Sequence, residues 1–199
     1  MCIRDRYVNS TIQEAEFEES GMRQVATFAS RSPMTAELLK DAARRPAAVT
    51  FGREHALDLG GVRARLLVVG PTHTKGDTVV FVEGDGVLFA GDVVMNRSFL
   101  GANPNSSTKA WLAAFDLIAS MKPSTIVPAH GDIGPGTILA TQRTIVEGIQ
   151  TRARELKVQG RSADETATAV QAEFQAQQPA WPRANGIAAL ARSAYNEAP

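Results

Sequence analysis

The stretch GPTHTKGDTVVFVEGDGVLFAGD, residues 70–92, restricts the fold of this chain more than any other. Two apolar runs, residues 78–83 and 87–90, are separated by a Gly-Asp-Gly turn, a pattern that predicts a β-hairpin. His73 lies in the loop before the first run, and Asp92 follows the second run directly. The predicted hairpin therefore has a side chain that can bind a metal at each of its outer ends.

The rest of the chain predicts an α/β body followed by helices. Period-2 apolar runs predict strands, whereas apolar residues that recur every three or four positions predict helices. By these patterns we expect strands over residues 25–29, 62–69 and 125–127, and helices over about 34–44, 108–121, 138–158, from 161 onward, and 184–197.

These elements suggest three segments. Residues 1–6, MCIRDR, resemble translated sequencing-adapter sequence, so we expect a head that is foreign to the protein. Residues 7–135 would form the α/β domain, and residues 136–199 would form a C-terminal helical segment that packs on it.

Composition narrows the possible functions. The 21 basic and 21 acidic side chains balance, which argues against nucleic-acid binding through clustered cations. No apolar run approaches the roughly 20 residues that span a bilayer, so no membrane association is expected. The single cysteine, Cys2, excludes an internal disulfide and a cysteine-rich zinc site. A metal would have to be bound by His, Asp and Glu, and the histidines are His55, His73 and His130.

Three of these residues share a position at the end of a predicted strand. His130, in VPAHG, follows the strand at 125–127, just as His73 and Asp92 flank the hairpin. A His/Asp/His set without cysteine suits Zn²⁺, or Fe or Mn. Each residue alone is an ordinary loop residue, and it is their conjunction that indicates a metal site. His55 has no such partner in the sequence and is interpreted as a surface residue.

The contexts THTKGD, FAGD and VPAHG resemble the later three metal motifs of the metallo-β-lactamase-fold hydrolases, in the same order and with similar spacing. The resemblance implies an αββα sandwich, of which this chain would hold the C-terminal part followed by a helical appendage. It also implies two zinc ions, with His73 on the first, His130 on the second and Asp92 bridging them. Members of this superfamily use a metal-activated water to cleave an ester, thioester, lactam or related bond of a small-molecule substrate.

The first motif of that superfamily, His-x-His-x-Asp-His, does not occur in this chain. The nearest register, TIQEAEF, puts Ile12 and Phe17 at the outer histidines, Glu14 at the middle histidine and Glu16 at the aspartate. Ile and Phe cannot bind a metal, and the two glutamates are poor replacements. An equally good interpretation of TIQEAEF is an acidic, solvated start of a helix. Either way each metal keeps one histidine and Asp92, fewer than the three protein ligands of a catalytic zinc.

We therefore expect weak or absent zinc binding and little hydrolase activity. The first motif would be either truncated away, in an N-terminally incomplete hydrolase, or degenerate, in a non-catalytic binding or interaction protein of the same fold. The sequence leaves open the substrate, the native metal and the oligomeric state, and the cytoplasm is only the default compartment.

Overall fold

The computed structural model describes residues 7–199, and the predicted foreign head at residues 1–6 lies outside them. The chain divides into two compact units between Arg53 and Glu54. None of the helices within residues 7–199 is both long and apolar enough to cross a membrane.

The first unit contains two short parallel strands and two helices between them. Ser10 begins the first helix, because its hydroxyl accepts a hydrogen bond from the Gln13 N–H at 3.1 Å. Ser32 and Thr35 form a reciprocal capping box at the start of the second helix. The elements are β1 (Val8–Ser10), α1 (Thr11–Ala29), α2 (Pro33–Leu39) and β2 (Val49–Phe51).

Two sequence predictions for this unit were wrong. The strand expected over residues 25–29 is the end of α1, where Val25 and Phe28 are spaced as neighbours on one helix face. Their strand-like composition is overridden because the helix continues from its cap at Ser10. The helix expected to reach residue 44 ends at Leu39, whereas its predicted start beside Pro33 is confirmed. TIQEAEF is helical, as the helix-start interpretation predicted, but Glu14 within it is buried rather than solvated.

The second unit is built on a six-stranded sheet of order β3-β4-β5-β6-β7-β8. The predicted hairpin is confirmed, since β5 and β6 pair antiparallel. The β6 and β7 strands pair in parallel, and the crossover between them includes a helix, as parallel neighbours require. The strands are β3 (Glu54–Asp58), β4 (Arg63–Val68), β5 (Thr78–Val82), β6 (Val87–Gly91), β7 (Thr125–Pro128) and β8 (Gly134–Pro135).

Four helices and the sheet share one hydrophobic core. Alternate residues of β5 and β6 are buried, as expected for strands with one face against helices. Trp111, Phe115 and Ile118 lie on one face of the first of these helices, and all three are fully buried. The helices after residue 136 contribute Ile149 and Ile187 to the same core. The helices are α3 (Thr108–Met121), α4 (Ile138–Val158), α5 (Ala163–Gln177) and α6 (Asn185–Glu197).

Candidate metal centre

The sheet topology brings the three predicted ligands to one edge. The loop that carries His73 enters β5, Asp92 follows β6, and His130 follows β7. Because β5 is antiparallel to β6 and β6 is parallel to β7, the start of β5 lies at the same edge as the ends of the other two strands. The prediction that strand ends gather these residues therefore agrees with the strand pairing.

A partly buried hydrogen-bond network shapes the loop before β5. Asp77 accepts hydrogen bonds from the hydroxyls of Thr72 and Thr74 and, at 3.0 Å, from the Thr74 backbone N–H. Gly70 is required at the start of the loop, because a Cβ there would lie 2.2 Å from the Lys75 carbonyl oxygen. The aspartate of THTKGD thus fixes the loop conformation that presents His73.

The His73 ring is oriented by a backbone carbonyl. Its Nδ1 lies 2.8 Å from the carbonyl oxygen of Gly101. A carbonyl can only accept, so Nδ1 donates to it, and Nε2 is the ring nitrogen left for a metal. The Asn103 side-chain amide also donates to the His73 carbonyl oxygen. Orientation of a histidine through its second nitrogen is common among metal ligands, and this feature of His73 suits that role.

Asp92 and His130 lie against each other. Asp92 Oδ1 is 3.3 Å from His130 Nε2, yet this buried oxygen has no hydrogen-bond partner within residues 7–199. The backbone around His130 is tightly constrained, because Gly131 has a φ of +89° and a Cβ on it would lie 1.9 Å from the Asn96 carbonyl oxygen. The Asn96 N–H in turn donates to the His130 carbonyl oxygen at 3.2 Å. The glycine of VPAHG is therefore needed to place His130.

Arg183, which the sequence did not indicate, reaches the same place from the segment before α6. Its Nη1 lies 3.0 Å from His130 Nε2. Its Nη2 lies beside Gly101, where an added Cβ would be 2.6 Å from Nη2 and 3.4 Å from the His73 ring. Arg183 Nε is buried and has no hydrogen-bond partner in the described part of the chain. A guanidinium group thus lies among the residues predicted to bind a metal.

With the Arg183 guanidinium against His130 Nε2, these residues do not fit a bound zinc ion. The 3.3 Å between Asp92 Oδ1 and His130 Nε2 is about the separation of two tetrahedral ligands at roughly 2.0–2.2 Å from zinc. However, the same Nε2 lone pair faces the Arg183 guanidinium, so a second cation there would meet a positive charge. Within residues 7–199, no three His, Cys, Asp or Glu side chains are grouped so that they could hold a metal ion.

The remaining histidine is His55, which was interpreted from the sequence as a surface residue. It is half-buried within β3, opposite Leu66 of β4. The strand was missed because EHALD lacks the β-branched and aromatic residues that favour strands.

The register of the first motif lies on α1 of the first unit. Ile12 is 44% exposed, so it lies on the solvated side of that helix. Glu14 is buried and accepts hydrogen bonds from the Asn9 side chain at 2.9 Å, Arg44 at 3.0 Å and the Ala47 N–H at 3.2 Å. Burial alone would raise the pKa of Glu14, but these donors outweigh it and hold the pKa below the ordinary 4.5. Glu14 thus joins α1 to the segment before β2.

Comparison with known proteins identifies the family. The family model described as the metallo-beta-lactamase superfamily matches residues 6–130, more than half of the chain. The chain therefore belongs to the metallo-beta-lactamase superfamily. A search of curated proteins gives no match.

Solved structures show the same fold. A metallo-beta-lactamase family protein from Thermus thermophilus has a TM-score of 0.62 at 18% identity, over 96% of this chain and 66% of that one. The sec-alkylsulfatase Pisa1 from Pseudomonas sp. has a TM-score of 0.55 at 16% identity, over 77% and 26%. A metallo-beta-lactamase from Pontibacter korlensis has a TM-score of 0.48 at 25% identity, over 58% and 56%. The family match and the structure from Thermus thermophilus confirm the α/β metallo-β-lactamase-type fold. The chain spans between about a quarter and two thirds of the length of these three proteins.

Proposed function

We propose that this chain is a hydrolase of the metallo-beta-lactamase superfamily that, in its present sequence, binds zinc weakly and hydrolyses slowly. Its substrate would be a small molecule with an ester, thioester, lactam or related bond. Membership of the superfamily supports the hydrolase class, and the matched residues 6–130 include His73, Asp92 and His130.

The contact between Asp92 and His130 is the observation that carries this proposal. One carboxylate oxygen and one imidazole nitrogen stand 3.3 Å apart at the sheet edge, and the oxygen has no hydrogen-bond partner among the described residues. An unpaired buried carboxylate oxygen is unfavourable, which favours binding of a cation there. Two donors are fewer than the three that a catalytic zinc usually has, so the affinity would be low. His73 is the candidate third ligand through its Nε2.

A non-catalytic binding protein of the same fold is the second candidate. The observation that favours it is the Arg183 guanidinium, which lies 3.0 Å from His130 Nε2 and engages the nitrogen that a metal would need. In that case the site would contain no metal at any stage, and the chain would bind its partner without hydrolysis.

Zinc content and hydrolysis, measured on the same samples, test the proposal. The full chain is dialysed without chelator and analysed for zinc, and then titrated with Zn²⁺ by calorimetry beside Asp92→Ala. Chromogenic ester, thioester, β-lactam and alkyl sulfate substrates are assayed at saturating Zn²⁺. We expect substoichiometric zinc after dialysis and slow, zinc-dependent turnover of one substrate class that Asp92→Ala abolishes. Two zinc ions retained per chain would refute weak binding, and no zinc-dependent turnover of any class would favour the binding protein.

A further inference from the structure

We infer that Arg183 is a built-in competitor for the metal site, so that its guanidinium and a metal cation exclude each other at His130. This inference rests on the proposed function, because it concerns the regulation of the same site. It predicts that the position of one side chain from the C-terminal helical segment sets the metal affinity.

Hydrogen-bond chemistry makes the competition direct. A guanidinium group has only N–H donors and stays protonated in proteins, so His130 Nε2 must accept in the 3.0 Å contact with Nη1. The Nε2 lone pair that accepts from Arg183 is the lone pair that would bind a metal, and it can serve only one of them.

The backbone directs Arg183 toward the sheet edge. Trp181 packs on Phe99 with ring centroids 5.4 Å apart, and the Phe99 N–H donates to the Pro182 carbonyl oxygen at 3.2 Å. Arg183 itself has a φ of +68°, in the left-handed region that is unfavourable for a side chain as large as arginine. A residue held in that conformation by its neighbours is a frequent feature of functional sites.

The guanidinium fits beside Gly101 because glycine has no side chain. Nη2 lies so close to Gly101 that a Cβ on this residue would be 2.6 Å away. The same Gly101 supplies the carbonyl oxygen that orients His73. Arg183 therefore lies beside two of the three predicted ligands.

The arrangement is also poorly satisfied, which makes it displaceable. Arg183 Nε and Asp92 Oδ1 are both buried without a hydrogen-bond partner within residues 7–199. Unpaired buried polar atoms of this kind are unfavourable, and for charged groups more so. If Arg183 swings away and a divalent cation binds, Nε regains water and Oδ1 gains a ligand bond. The competition is thus between a state with Arg183 at His130, which leaves two polar atoms without hydrogen bonds, and a state with a metal, which has few protein ligands.

Zinc affinity of charge-matched variants tests the inference. Arg183→Gln removes the charge and keeps much of the length, and Arg192→Gln is the control because it removes an equal charge from an exposed ion pair with Asp164 on α5. Zn²⁺ affinity is measured by competition with a chromophoric chelator, and Co²⁺ absorption reports ligand geometry without reference to hydrolysis. A like charge within a few ångströms weakens cation binding strongly, so we expect Arg183→Gln to bind Zn²⁺ at least about tenfold more tightly than wild type. Arg192→Gln should stay within about twofold, because an exposed charge is screened.

Two further variants keep the outcome decisive. Arg183→Asn also removes the guanidinium and tolerates a positive φ, so it covers the case in which Arg183→Gln folds poorly. The double variant Arg183→Gln/His130→Ala should lose the gain, which places the zinc at this site. If neither single variant binds Zn²⁺ more tightly than Arg192→Gln, the inference is wrong.

The same data separate this inference from the proposed function. Tighter zinc in Arg183→Gln without hydrolysis of any substrate would support the competition and refute the hydrolase proposal. Zinc-dependent hydrolysis in wild type with unchanged affinity in the Arg183 variants would refute the competition and support the hydrolase.

Discussion

Replacing Glu14 by Gln decides between two interpretations of TIQEAEF. If the segment is a degenerate metal motif, Glu14 occupies a ligand position and its removal should affect zinc. If it is the start of a helix, Glu14 holds the first unit together. The structure favours the second, since the carboxylate accepts from Asn9, Arg44 and the Ala47 N–H.

The magnitude follows from those contacts. Gln has no charge, and an NH₂ group replaces one of the two carboxylate oxygens. Because NH₂ cannot accept, at least one of the three hydrogen bonds is lost. Hydrogen bonds to a charged group contribute about 1.5–3 kcal/mol, and a buried donor left unpaired costs a similar amount. Arg44 is partly exposed and its share is reduced by solvent. We expect Glu14→Gln to lower the free energy of unfolding by about 2 kcal/mol at pH 7.

The effect should depend on pH with a defined sign. Hydrogen bonds from Asn9, Ala47 and Arg44 hold the pKa of Glu14 below 4.5 against the opposing effect of burial. A depressed carboxyl pKa contributes its full stabilisation above the unfolded value and loses it as the pH falls through the folded value. The difference between wild type and Glu14→Gln should therefore be constant above about pH 5 and shrink below 4.5.

Urea denaturation followed by far-UV circular dichroism, with hydrogen exchange on peptides from α1, measures this loss. Trp111 and Trp181 both lie in the second unit, so tryptophan fluorescence reports that unit separately. Glu18→Gln is the matched control, an exposed glutamate on the same helix. If Glu14→Gln is as stable as Glu18→Gln but binds zinc more weakly than it, Glu14 is a ligand and the reasoning fails.

Three other substitutions probe how the second unit holds its site. Gly131→Ala should cost more than about 2 kcal/mol in thermal denaturation, because a Cβ would meet the Asn96 carbonyl oxygen at 1.9 Å and φ is +89°. Gln142→Ala should lower the free energy of urea unfolding by about 2 kcal/mol, since the buried amide donates to the Met95 carbonyl oxygen at 2.9 Å. Trp111→Phe keeps most of the packing but leaves a buried carbonyl unpaired, so circular dichroism should show a loss of about 1–2 kcal/mol. For each, stability equal to wild type would contradict the assigned contact.

The sequence predicted correctly those helices and strands in which apolar residues recur with a clear period. The helix over residues 138–158 was predicted with the bounds it has, because apolar residues recur along one face for its whole length. The hairpin of β5 and β6 was clear from two apolar runs and a glycine-containing turn. Where composition and context disagree, the prediction failed, as at residues 25–29, because a capped helix extends through residues that favour strands when isolated.

Only the site residues that lie next to strand ends could be predicted from the sequence. His73, Asp92 and His130 each follow or precede a strand, and parallel or antiparallel pairing then decides that they meet at one edge. Arg183 has no such signal, because it enters from a segment fixed by packing of Trp181 on Phe99. A packing contact of that kind depends on tertiary structure, and it gives no periodic pattern in the sequence.

The positive charge at this edge has an opposite effect on stability and on metal binding. Asp92 Oδ1 is buried and has no hydrogen-bond partner within residues 7–199, so without a metal the nearby guanidinium is favourable to the fold, and with a metal it is unfavourable. Removing it should therefore destabilise the metal-free chain slightly while raising its zinc affinity. A variant that was merely misfolded would lose both, because a ligand site that depends on three loops does not survive unfolding. Opposite signs in Arg183→Gln would thus identify the guanidinium as a substitute for the metal cation, whereas losses in both would identify Arg183 as a structural residue.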